Sequence, residues 1–224
     1  DNHKKITQVD LAYQAYPEMG SKVDDPNNKH MLTQEAGQYV YRHSVNNSNL
    51  LSATAQTWSE NAFLYRERSG NTYVEVNPAN SENIWRPYTT YNWEGPVDPD
   101  GTFDASQYTP FNHSLPPNHW TNTLQVTRYD RYSRSLEEIE PGNYISSTKM
   151  GYDQSLALIT ARNAKYLEMA FSSAEDFDPD GTWFGGEVRA PSASNVVTTQ
   201  AHTGTYSVRL NGSNRYGFNY KAKV

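Results

Sequence analysis

An all-β fold is predicted, made of antiparallel hairpins or a β-sandwich with at most one or two short helices, and two observations carry that prediction. The chain has 17 tyrosines and 5 tryptophans among 224 residues, yet its mean hydropathy is −0.86. Amphipathic rings in so polar a chain suit half-exposed sheets better than an apolar helical core. Short polar–apolar alternations also recur between clusters of turn residues, the spacing of strands rather than helices.

The first clear strand covers 37–45, with Tyr39, Tyr41, His43 and Val45 on one face and Gln38, Val40, Arg42 and Ser44 on the other. Asn46, Asn47, Ser48 and Asn49 break it. A second strand over 51–58 sets Leu51, Ala53, Ala55 and Thr57 against Ser52, Thr54, Gln56 and Trp58. Residues 63–68 and 72–76 flank Ser69-Gly70-Asn71 as a hairpin. Pro87, Pro96, Pro99, Pro110, Pro116 and Pro117 deny long ladder pairing to 78–120, where 85–93 alone reads as a strand. Hairpins follow from Leu124 to Tyr152. Residues 154–170 then offer one candidate helix through Leu156, Ile159, Ala164, Leu167 and Ala170, placed best over 161–170. Beyond Phe171 the composition changes: 175–186 is acidic and turn-rich, and Tyr206, Val208 and Leu210 alternate with Ser207 and Arg209. The expected organisation is a β-rich domain with an irregular proline-rich segment over 1–123, hairpins over 124–170, and an acidic segment leading into a further module over 171–224.

Charge and composition remove several classes of function. A net charge of −6 without any Lys/Arg cluster opposes binding to a phosphate backbone, so no nucleic-acid partner is expected. Zero cysteines exclude disulfides, thiolate metal sites and cysteine nucleophiles. No run approaches the roughly 18 apolar residues of a membrane helix, and no membrane insertion is expected. The opening residues Asp1-Asn2-His3-Lys4-Lys5 lack the apolar core of a signal peptide. The expectation is therefore a processed chain or a piece of a longer polypeptide.

Three constellations could carry chemistry. Asp-Pro-Asp-Gly-Thr followed by an aromatic occurs at 98–103 and again at 178–183. One reading is a proline-initiated type I turn with glycine at positive φ. The other is a structural calcium site using the hard oxygens of Glu175, Asp176, Asp178 and Asp180, although the D-x-D-x-D-G spacing of an EF-type loop is absent. Trp85, Tyr91 and Trp93 fall on one strand face; such a row of rings suits stacking on sugars and equally suits a core. Glu137, Glu138 and Glu140 read as solvated carboxylates beside a turn, and His113 and His119 have no carboxylate nearby to complete a metal site. Nothing resembles Gly-x-Ser-x-Gly, so no catalytic residue is assigned and calcium is the one cofactor left open.

The stretch 127–153, TRYDRYSRSLEEIEPGNYISSTKMGYD, carries Tyr129-Asp130 and Tyr152-Asp153 with the turn signal Pro141-Gly142-Asn143 between them. It resembles the YD (Rhs-type) repeats of very large bacterial surface and secreted proteins, in which each unit is a β-hairpin stacked on the next. Ser133 stands where glycine is usual, and Tyr132 is additional. Residues 201–213, AHTGTYSVRLNGS, resemble the early strand of carbohydrate-binding, galactose-binding-like jelly-roll modules, and such a module would be incomplete at Val224. The order of pieces over 24–210 resembles the C-terminal region of giant Rhs/YD-repeat-like secreted proteins of gliding or marine Bacteroidota. These resemblances imply an extracellular or cell-surface bacterial protein: a non-catalytic structural or adhesion segment whose partners are glycans or other segments of the same polypeptide. The alternatives are a carbohydrate-binding module of a polysaccharide-degrading enzyme or adhesin, and part of a YD-repeat shell around a toxin cargo. Both tyrosine rings are expected to be packed, each following aspartate capping a turn.

Overall fold

The structure is a computed structural model, describing residues 4–20, 30–45, 47–60, 65–69, 72–76, 84–130, 132–152, 155–171, 174–175, 183–184, 188–190, 192–213 and 217–218. Its strands are β1 (Lys4–Leu11), β2 (Glu35–His43), β3 (Ser48–Ser59), β4 (Tyr65–Ser69), β5 (Thr72–Val76), β6 (Arg86–Trp93), β7 (Trp120–Tyr129), β8 (Ser135–Glu140), β9 (Tyr144–Gly151) and β10 (Leu156–Arg162). Five two-residue strands follow: β11 (Trp183–Phe184), β12 (Val188–Arg189), β13 (Val196–Val197), β14 (Ser207–Val208) and β15 (Gly217–Phe218). The architecture is predominantly antiparallel β, as the alternation predicts. The single α-helix among the described residues is α1 (Ala12–Ala15).

The chain divides into two compact units, Asp1–Ala62 with Pro78–Val126, and Phe63–Asn77 with Thr127–Val224. In the first unit the strand order is β1-β2-β3-β6-β7. The registers Gly37↔Ala55 and Tyr39↔Ala53 set a row of small side chains on β3 opposite β2, and Trp93↔Trp120 closes the β6–β7 pair. Tyr39, Leu50, Ala53, Ala55, Trp93 and Trp120 form the core there. Segment 94–119 forms no long strand, as its prolines dictate, yet it is an integral layer. Phe103, Tyr108 and Phe111 pack from it onto the core, and the Phe103 amide donates to the Leu50 carbonyl at 2.8 Å. Trp93 meets Tyr108 at 5.1 Å and Trp120 at 5.7 Å, both edge to face, the favoured geometry for ring quadrupoles.

A smaller cluster of Ala12, Met19 and Ala36 lies under Tyr13, Tyr16, Met31, Trp58 and Trp85. Helix α1 and the 3-10 turn Pro17–Met19 supply half of it, and the Ala12 amide reaches the Gln34 carbonyl at 2.7 Å.

In the second unit β8, β9 and β10 form an antiparallel meander. Pro141, Gly142 and Asn143 connect β8 to β9, where Glu140 pairs with Tyr144. The helix expected over 161–170 is absent. Leu156–Arg162 is strand β10, and a 3-10 turn occupies Tyr166–Glu168. The β-branched Ile159 and Thr160 lose side-chain freedom in a helix, whereas β9 offers a ladder on which the Thr148 and Thr160 hydroxyls meet at 3.1 Å. Farther along, β11-β12-β15 and β13-β14 make small sheets. The alternating stretch around Tyr206 thus contributes β14, with Val208 opposite Val196.

Two outcomes follow from the ring-filled core of the first unit. Trp93 is 4% exposed, and Trp93→Ala is expected to cost about 3–5 kcal/mol in urea denaturation. Burial raises the Tyr39 hydroxyl well above its ordinary value, and burial, with Tyr41 and Asp10 adding repulsion, pushes Tyr108 up to about 12. A raised folded value means the unfolded chain releases these protons first. Stability is therefore full below the ordinary tyrosine value of 10.0 and is lost as pH rises from there through the raised folded values. The urea midpoint is expected to begin dropping near pH 10 and to go on dropping through about pH 12, less steeply in Tyr108→Phe.

Candidate functional site

The pleat of β2, β3 and β6 builds a recess on the first unit. Thr54 lies between the buried Ala53 and Ala55, so alternation turns it away from the ring core, and Gln56 and Gln38 follow the same parity. On that side opens a cleft of about 280 Å³. Its polar lining is Gln38, Thr54, Gln56 and Thr90; Trp58 and Pro87 bound it with apolar surface. Gly37 and Ala55, paired across β2 and β3, also border it. Glu35 is the one charged residue among the described lining residues.

Hydrogen bonds hold two of these side chains in place. Gln56 Nε2 donates to the Thr57 carbonyl at 3.0 Å and the Thr89 carbonyl at 3.2 Å, while its Oε1 accepts from Thr90 Oγ1 at 2.9 Å. The amide orientation is thereby set. The indole of Trp58 donates from Nε1 to the Glu35 carbonyl at 2.9 Å, and its backbone amide donates to the Tyr16 hydroxyl at 3.1 Å. The first holds the ring and the second holds the backbone that carries it. A register shift between Gln56 and Trp58 against β6 brings Trp58 opposite Pro87 and Gln56 opposite Thr90. The result is a cleft with a fixed aromatic wall and neutral amide and hydroxyl groups.

The structure distributes the aromatic row differently from the sequence reading. Trp85 lies 5.3 Å from Tyr16, Tyr91 lies 5.1 Å from Phe111, and Trp93 is enclosed by Phe103, Tyr108, His119 and Trp120. Stacking on a ligand needs an open ring face; that of Trp93 is covered by the 94–119 segment. Trp58, Gln38 and Gln56 were legible only as strand residues, since the cleft they line depends on Pro87 and Thr90 from another strand.

Asp176, Asp178 and Asp180 lie outside the described residues. Of the calcium set, Glu175 is described, and its Oε1 accepts the amides of Thr205 at 2.8 Å and Tyr206 at 2.7 Å. Gly204 admits this approach: its φ is +79°, and an added Cβ would sit 2.4 Å from that oxygen. Among the described residues no group of three His, Asp or Glu is placed to hold a metal ion. The Asp-Pro-Asp-Gly-Thr stretch at 98–102 is a turn, with Gly101 at φ +81° donating to the Asp98 carbonyl at 2.9 Å. The Thr102 hydroxyl and amide hold the Asp100 carboxyl below its usual value, and Arg42 adds to the effect. The second copy lies mostly outside the described residues.

The other candidates have structural partners. Glu137 accepts from Thr127 Oγ1 at 2.7 Å through Oε1 and from the Tyr166 amide at 2.6 Å through Oε2. His113 packs edge-on to Phe111, and burial lowers its pKa; His119 packs on Trp93. Tyr166 itself is buried with the Lys149 ammonium 3.5 Å and the Arg128 guanidinium 5.0 Å from its ring centre.

Tyr129 ends β7, and Tyr152 follows the last residue of β9, so both stand where a strand enters a hairpin turn. Their rings differ: Tyr129 is buried, whereas Tyr152 is 41% exposed with φ +50°. Only the first has the packing expected of both. Asp130 is fully buried, and its Oδ1 accepts the amides of Tyr132 at 2.8 Å and Arg134 at 2.9 Å while Oδ2 takes Arg134 Nε at 2.8 Å. Asp153 lies outside the described residues. Ser133, in the same turn, has φ +66°, the left-handed region that favours glycine.

Asp130→Ala is expected to lower stability by about 2–3 kcal/mol, since it removes charge-assisted bonds that a buried carboxylate makes to two turn amides and a guanidinium. Ser133→Gly is expected to raise it by about 1 kcal/mol by relieving the positive φ. Chemical denaturation of both variants checks the pair. Comparison with known proteins gives no identification: no family model matches the chain, and no match is found among curated proteins or solved structures.

Proposed function

We propose that this chain is a non-catalytic structural and adhesion segment of a large bacterial surface or secreted protein, with Tyr129-Asp130 acting as a YD-type hairpin unit. The observation that carries the reading is the Asp130 turn. A fully buried carboxylate collects three hydrogen bonds from the next four residues, and the turn adopts positive φ at the position where the repeat usually has glycine. Such a dipeptide seals a strand-to-strand connection and leaves no free carboxylate for chemistry. The engagement of both Glu137 oxygens by Thr127 and Tyr166 supports the same role for the acidic run.

The surface also suits life outside the cell. Without cysteine, the fold depends on ring packing and ladder hydrogen bonds, which no change in redox state weakens. At the edge of the first unit's sheet, β1 presents Lys4 and Lys5, charges that discourage unwanted strand pairing. Antibody raised against the purified chain is expected to label intact cells of the producing organism or to detect the protein in its medium. Labelling confined to lysed cells would overturn the reading.

A further inference from the structure

We infer that the cleft between β2, β3 and β6 is a binding site for a neutral sugar unit of a glycan, with Trp58 as its stacking surface, Gln38 and Thr54 as its donors and acceptors, and Gln56 Oε1 and Thr90 Oγ1 as further acceptors. The inference rests on the cleft alone and does not require the YD reading. Size comes first: about 280 Å³ lies at the small end of ligand pockets, which run from roughly 300 to 1,000 Å³. That is room for one or two rings of a chain and not for a large cofactor.

Chemistry narrows the class. The lining offers amides and hydroxyls, which donate and accept in the manner of sugar hydroxyls, and among the described residues it offers no cation to hold phosphate, sulfate or carboxylate. Glu35, the single charged group among the described lining residues, would repel an anionic sugar. An apolar ligand is disfavoured for the complementary reason, since it would strip water from Gln38 and Thr54 without replacing those bonds. Neither side chain hydrogen-bonds within the protein among the described residues, so both are available to a ligand.

Preorganisation supports the assignment. Gln56 is fixed by bonds to Thr57, Thr89 and Thr90, and the Trp58 ring is held by its indole bond to the Glu35 carbonyl. A sugar would thus meet a ring and an amide already ordered, which reduces the entropy lost on binding. Pro87, opposite Trp58 in the β3–β6 register, gives the second apolar surface that a sugar's C–H faces need.

The test is native affinity electrophoresis of the full chain in gels containing laminarin, xyloglucan, galactomannan or dextran, with alginate as the anionic control. Retardation is expected in at least one neutral polysaccharide and not in alginate. Gln38→Ala with Thr54→Ala is expected to weaken it about tenfold or more, the loss of one or two hydrogen bonds, while the melting temperature is unchanged. Trp58→Ala should abolish retardation; because Trp58 also packs against the Ala12, Met19 and Ala36 cluster, the double variant is the decisive one. Absence of retardation in all four neutral gels, equal retardation in alginate, or retardation untouched by the double variant would overturn the assignment. None of these outcomes bears on whether antibody reaches the protein on intact cells, so the two proposals fail independently.

Discussion

Burial of Trp93 is the contact on which the first unit depends. Its ring needs small neighbours across the sheet, which Ala53 and Ala55 provide in the same core, and a roof, which Phe103, Tyr108 and Phe111 provide from a segment with no long strand of its own. Edge-to-face contacts contribute about 0.5–1.5 kcal/mol each beyond area burial. The indole Nε1 finds no hydrogen-bond partner among the described residues, a cost of about 1–3 kcal/mol that the surrounding rings offset. The proline-rich stretch is consequently a structural layer. Its prolines keep it from adding to the ladder, and that freedom lets it turn three rings inward.

The same arrangement makes the cleft. Alternation along β3 sends Ala53 and Ala55 to the ring core and Thr54 and Gln56 to the other side, so filling one face with aromatics leaves a polar face that needs no cover. A larger side chain at Ala55 would press on the rings, on the face opposite the cleft.

The second unit solves a different problem with a different contact. In the meander of β8, β9 and β10 the entering turn is held by polar groups. Asp130 does this from a fully buried position, and the Tyr166 ring lies close to Lys149 and Arg128, two cations that are themselves buried. Cation–π attraction stabilises a charged group where water is scarce, and at desolvated positions it reaches about 2 kcal/mol or more. Glu137 anchors the Tyr166 amide, so β8 and the 3-10 turn are joined by a single side chain.

Strand period was legible wherever one face is buried. Tyr39 and Val40 mark β2, Ala53 and Ala55 mark β3, and the turns at 98–102 and 141–143 follow from their Pro, Asp and Gly residues. Strand β1 was not legible, because an edge strand with most positions exposed leaves no hydrophobic alternation to read. Helix α1 is a single turn, too short for a 3.6-residue period to repeat. The candidate helix over 161–170 misled because its apolar spacing is compatible with either period, and pairing with β9 decided the matter. By itself the sequence determined that this protein is a cysteine-free, ring-rich β structure with hairpins at stated turns. Only the tertiary structure decided that Trp93 is enclosed while Trp58 borders a cleft, because a period of two specifies that a strand has two faces and leaves to the rest of the chain which of them is covered.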